Sequence, residues 1–227
     1  MPDLHSLNIF THVLTASAAL LIGLFILSRR KGDRLHRMSG RAMLWLTGVS
    51  VTAALIGAFF FRGQLDLMGV SLLVAYQLWS GPRALRLKDG GRRPADLIPA
   101  LLMAGGGCVI GALILLGGAV HWPPMLVYST MGSMLIYGGW DVGRTLLPLR
   151  WRRWLNPAEH AFRMASLTGA LLSVAAGTLL GNAYWPLVVS GVFGLASLVF
   201  AFRAARKALG VTPSDALNAR LKAESEL

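Results

Sequence analysis

Residues 97–140 read LIPALLMAGGGCVIGALILLGGAVHWPPMLVYSTMGSMLIYGGW, and from Leu97 to Trp140 there is no Asp, Glu, Lys or Arg. A helix that crosses a bilayer uses about 20 apolar residues at about 1.5 Å rise each, so this run is too long for one span and suits two. Near its middle stands His121-Trp122-Pro123-Pro124, where two prolines and an interfacial aromatic mark a short loop. A soluble domain has no use for two hydrocarbon-length segments joined in this way. The stretch therefore predicts an all-α, polytopic membrane protein.

The rest of the chain extends the pattern. Charge-free runs also cover Leu4 to Ser28, Ala42 to Phe61, Leu67 to Pro82 and Met164 to Phe202. The last is again long enough for two spans, with Gly181-Asn182-Ala183-Tyr184-Trp185-Pro186 as its turn. The run in the third span is short, and Arg83 and Arg86 extend it by snorkelling. Seven spans follow, at about 6–28, 42–61, 67–87, 97–119, 125–147, 160–181 and 186–204. They form one domain over 1–204, followed by a short cytoplasmic tail over 205–227, in which Thr212 or Ser214 caps a surface helix carrying Leu217 and Leu221.

Composition agrees. Of 227 residues 55% are apolar and 14% charged, and the mean hydropathy is +0.58. Soluble domains carry about a quarter charged residues. The net charge of +12 is not a nucleic-acid signature in so apolar a chain. It is a topology signal: with seven alternating spans, 21 of the 22 Lys and Arg fall on one side, and only Arg62 on the other. Basic residues stay cytoplasmic, which sets the N-terminus outside and the C-terminus inside. The expected location is a bacterial-type inner membrane, with membrane lipids as partners. The basic cluster follows the first apolar segment rather than preceding it, so that segment is expected to remain as a helix instead of being cleaved. Cys108 is the only cysteine, which excludes an intramolecular disulfide or a multi-cysteine metal site. Glycines spaced as Gly107 with Gly111, and Gly177 with Gly181, suit close helix packing, either within a tight bundle or across a homo-oligomer face.

The polar residues that remain are few. Topology sorts five histidines into an outer layer (His5, His12, His121) and an inner one (His36, His160). The inner layer also holds Arg37, Arg41, Asp141, Glu159 and Arg163. Asp141 lies deep in an apolar run, where an ionised carboxylate is costly, so it requires a partner: Arg144, Arg37 or Arg163. Two imidazoles from different helices are what a b-type haem needs as axial ligands, with arginines to neutralise propionates. In that reading His36 and His160 ligate iron, Arg37, Arg41 and Arg163 hold propionates, and Asp141 and Glu159 orient arginines. His12 and His121 would hold a second group on the outer side, giving an electron path whose redox partner the sequence does not name. The alternative is that the same residues form a structural ion-pair layer in a non-catalytic membrane interaction protein. A small-solute or lipid transporter would use Tyr76 and Gln77 in the third span. A zinc hydrolase fits poorly, because there is no His-x-x-x-His or His-Glu-x-x-His and the histidines are split between two faces.

The segment Leu35-His36-Arg37-Met38-Ser39-Gly40-Arg41, after a first span bearing His12, resembles a bacterial family of multi-pass membrane proteins of unknown function. That family carries a His-Arg-x-x-Gly-Arg segment at the start of its second helix and a later His-x-x-Arg-Met. Here the latter is His160-Ala161-Phe162-Arg163-Met164, preceded by an Asp-x-x-Arg stretch, Asp141 to Arg144. The resemblance implies a multi-pass fold but no activity. The chain is also distantly similar to haem membrane proteins of the cytochrome b561 type, which place their histidines within adjacent helices, whereas His36 and His160 stand at helix starts.

Overall fold

The computed structural model describes residues 3–61, 65–87, 94–117, 124–181 and 184–210. They form seven α-helices: α1 Leu4–Ser28, α2 Arg34–Phe60, α3 Leu65–Arg86, α4 Pro94–Leu115, α5 Pro124–Gly143, α6 Arg152–Leu180 and α7 Tyr184–Gly210. Two 3₁₀ turns, Arg144–Leu146 and Leu149–Trp151, join α5 to α6, and no strand occurs among the described residues. His121, Arg62 and the tail from residue 211 lie outside the described residues.

Several helices are longer than the charge-free runs. The α2 helix starts at Arg34, well before the apolar run that begins at Ala42, because the Asp33 carboxylate caps it by accepting a hydrogen bond from the His36 backbone N–H at 2.6 Å. Asp3 caps α1 in the same way through Ser6. The α6 helix starts at Arg152 and α7 continues to Gly210. Hydropathy registers the hydrocarbon-length core of a helix, while capping and propensity set its ends. At the end of α1, Lys31 closes the helix by donating to the carbonyls of Ile26 and Leu27 at 2.6 and 2.8 Å, and burial pushes its ammonium below the usual lysine range.

Five helices are long and apolar enough to cross a membrane: α1, α2, α4, α6 with its preceding turn, and α7. The other two, α3 and α5, bury polar side chains, Tyr76, Gln77 and Ser80 on α3 and Thr130 and Asp141 on α5, as α6 does with Asn156, Glu159 and Arg163. The α3 helix is the hub, touching α2, α4, α5 and α6. Helices α1, α2, α3 and α6 close a ring in which α2 and α6 are diagonal, with Ala19, Met43, Val74 and Leu167 at its centre. A second core, including Leu73, Met103 and Met134, joins α3, α4 and α5. The α7 helix packs along α6. Many large apolar side chains point outward, among them Leu102 on α4 and Leu195 on α7, as a lipid-facing surface requires.

The glycines are used within the chain. A Cβ at Gly107 would stand 3.2 Å from the backbone nitrogen of Leu135 on α5, and one at Gly111 3.3 Å from the Met131 sulfur. Gly138 answers from α5: a Cβ there would lie 2.5 Å from the Ala104 nitrogen and 2.7 Å from the Ala100 oxygen. On α6, Gly177 meets Pro186 of α7, and Gly181 ends the helix at φ +60°. Replacing Gly138 with Ala should therefore cost about 1–3 kcal/mol by overpacking. Gly139→Ala, where a Cβ meets nothing within 4 Å, should be neutral or mildly stabilising. Thermal unfolding of the two variants in detergent checks the contrast.

Candidate functional site

The buried charges meet where α3, α5 and α6 converge. Arg163 on α6 is fully buried. One terminal nitrogen donates to Asp141 Oδ1 of α5 at 2.6 Å and stands 2.6 Å from Glu159 Oε1, one turn earlier on α6. The other donates to the Ser80 hydroxyl of α3 at 2.5 Å, and Ser80 donates onward to the Tyr76 carbonyl at 2.6 Å. The second Asp141 oxygen accepts from the Tyr76 hydroxyl. Tyr76 and Tyr137 also present their rings to the guanidinium, with centroids 5.6 and 5.3 Å from its central carbon. Glu159 pairs through its other oxygen with Arg144, which follows α5, and Arg144 donates to Asn156 at 2.5 Å.

Two carboxylates and two guanidiniums therefore compensate one another within a volume that excludes water: all four residues are 6% exposed or less. Local sequence explains half of this. Asn156, Glu159 and Arg163 repeat at i, i+3 and i+7, so one face of α6 carries all three. The rest is reach. Among the described residues no Cα of α5 comes within 8 Å of a Cα of α6. Long arginine and tyrosine side chains span the gap, and Tyr137 closes it further against Phe162, ring centroids 6.0 Å apart.

The seven inner residues expected to share one site fall into separate places. Asp141, Glu159 and Arg163 are together, and of the candidate partners for Asp141 it is Arg163 that binds it. Arg144 pairs with Glu159. His160 departs from α6 in another direction, its Nδ1 3.1 Å from the Gly81 carbonyl of α3. The α2 helix, which carries His36, stands diagonal to α6 in the α1–α2–α3–α6 ring. The His36 Nδ1 atom is buried without a hydrogen-bond partner. Arg37 donates to the Gly32 carbonyl at 2.7 Å, and Arg41 is exposed on α2. In the other half of the bundle His12 joins α1 to α2, its Nδ1 2.9 Å from the Ser50 carbonyl and 3.1 Å from the Ser50 hydroxyl. Tyr76 and Gln77 are both buried, but Tyr76 belongs to the charged cluster.

Ser80, Tyr137, Asn156 and the Arg144–Glu159 pairing were not foreseen. A faint signal existed for Asn156 and Glu159 in their helical spacing with Arg163. None existed for Ser80 or Tyr137, which become relevant only once α3 and α5 flank α6. A second tie stands nearby: Arg83 of α3 binds Asp96 of α4 through two hydrogen bonds of 3.0 Å. Among the described residues no group of three His, Cys, Asp or Glu side chains converges to hold a metal ion.

Removing one member of a buried pair strands the other, a loss of about 3–5 kcal/mol. Asp141→Asn and Arg163→Gln should each lower the thermal midpoint sharply, whereas Arg83→Gln, at a side chain 25% exposed, should lower it less. Comparison with known proteins adds no identity: no family model, curated protein or solved structure matches the chain.

Proposed function

We propose that this chain is a seven-span protein of a bacterial-type inner membrane, N-terminus outside, and that it acts as a non-catalytic membrane interaction protein held together by an ion-pair layer at its cytoplasmic end. Support for the topology is the placement of 21 of 22 basic residues on one side under seven alternating spans. In this reading α3 and α5 also cross, their polar faces turned into the bundle. The observation that carries the function is the mutual compensation of Asp141, Glu159, Arg144 and Arg163. Arginines so engaged are poor propionate ligands, and carboxylates so engaged are poor bases. The layer joins α5 to α6 where their backbones stay apart.

A second reading is favoured by one observation. A metal-binding imidazole usually donates its other ring N–H to a carbonyl or carboxylate, and the Gly81 carbonyl beside His160 Nδ1 offers that arrangement, leaving Nε2 as the ligating atom. With His36 diagonal to it, the pair suits the axial ligands of a b-type haem, now without Arg163, Asp141 or Glu159 in the site. Transport of a small solute draws less support, since Tyr76 is engaged with Asp141.

A double-mutant cycle tests the layer. Asp141→Asn with Arg163→Gln should cost less than the sum of the two single changes, with a coupling of about 0.5–3 kcal/mol. Simple additivity would overturn a paired layer. Visible spectra of the purified protein, oxidised and dithionite-reduced after growth with ample haem, test the second reading: a Soret band lost in His36→Ala and His160→Ala would establish it, and a featureless spectrum removes it. For topology, in a Cys108→Ser background, an impermeant thiol reagent should label Asp3→Cys in intact cells and Lys207→Cys only after permeabilisation.

A further inference from the structure

A groove of about 660 Å³ runs between α1 and α2 in the half of the bundle away from the charged cluster. Leu7, Asn8 and Thr11 form one wall, and Val49, Thr52 and Ile56 the other. Trp45 closes it at one end and Phe61 at the other. It opens sideways: Leu7, Trp45, Val49 and Ile56 are all substantially exposed. Both helices that form it are long and apolar enough to cross a membrane.

The groove's polar side chains are already committed. The Thr11 hydroxyl donates to the Leu7 carbonyl, Thr52 to Gly48, and the Asn8 amide to the Ala53 carbonyl at 3.0 Å. What the walls offer an occupant is mostly hydrocarbon and methyl surface. The volume falls within the range of about 300–1,000 Å³ typical of ligand sites. Along α2 the wall from Trp45 to Phe61 is about 24 Å long at 1.5 Å per residue, most of the thickness of a hydrocarbon core. At the Phe61 end the character changes, because the His5 ring packs on the Phe61 ring at 5.1 Å between centroids and brings an imidazole to the mouth.

We infer that the groove holds an acyl chain of one bilayer phospholipid, with the headgroup at the His5 end. An amphiphile fits both parts: a largely apolar channel, and an imidazole at its mouth. Burial of the chain is worth about 0.8 kcal/mol per methylene taken from water, but nothing against bulk lipid, so what distinguishes the site is shape and retention in detergent.

Photo-crosslinking and native mass spectrometry of the full-length protein in detergent test this. Benzoylphenylalanine placed at Val49 should capture a phospholipid after washing, several-fold more than the same probe at Leu102, a more exposed position on α4 outside the groove. Filling the groove by Thr52→Trp, or more gently by Val49→Phe, should lower the amount of retained phospholipid while the melting temperature stays near that of the parent. Equal capture at Val49 and Leu102 would overturn the inference, as would undiminished retention in well-folded filled variants, or capture of free fatty acid or detergent alone.

Discussion

The arrangement of the bundle depends on the burial of one guanidinium. Arg163 is taken out of solvent entirely and made tolerable by Asp141, Glu159 and Ser80, with tyrosine rings on either side. Each partner comes from a specific helix: Asp141 from α5, Ser80 and Tyr76 from α3, Glu159 from α6 itself. A buried cation surrounded in this way specifies which helices must converge, because any other arrangement leaves a charge stranded in a medium that cannot solvate it. Apolar contacts alone are less selective, since one leucine face serves nearly as well as another.

The packing devices differ from one helix pair to the next. At the α4–α5 crossing, glycines and small residues let backbones approach closely. The α3 and α5 helices contribute polar side chains to the interior and are correspondingly less apolar. Between α5 and α6 the packing device differs again: backbones stay apart, and arginine and tyrosine side chains fill the gap. Close glycine contact and long polar bridges are two solutions to the same problem, joining helices whose outer surfaces are largely apolar.

The two inner histidines are distinct from this network. His160 and Arg163 lie three residues apart, yet they diverge toward different neighbours: Gly81 on the ring side, Asp141 on the α5 side. Residues one turn apart on a helix need not share a site, and the seven inner residues divide accordingly. The charged ones satisfy each other. The imidazoles stand outside this network, one with a ring nitrogen at the Gly81 carbonyl and the other with a buried ring nitrogen lacking a hydrogen-bond partner.

Helix number and the positions of the apolar cores were legible in sequence, because the cost of a charge in hydrocarbon makes a gap between charges a direct measure of span length. The need of Asp141 for an arginine was legible for the same reason. Which arginine was not: Arg144 and Arg163 are both about one helical turn from a carboxylate in sequence, and only the approach of α6 to α5 assigns Arg163 to Asp141 and Arg144 to Glu159. Ser80 and Tyr137 were invisible, since an isolated hydroxyl in an apolar helix has no spacing to mark it. Helix ends beyond the apolar cores, such as Arg34 and Arg152, escaped because capping and helix propensity, rather than hydropathy, set them. Local composition thus determined how many helices form and which faces avoid water. Tertiary structure decided which side chains meet, because that choice depends on distances between helices that no single helix encodes.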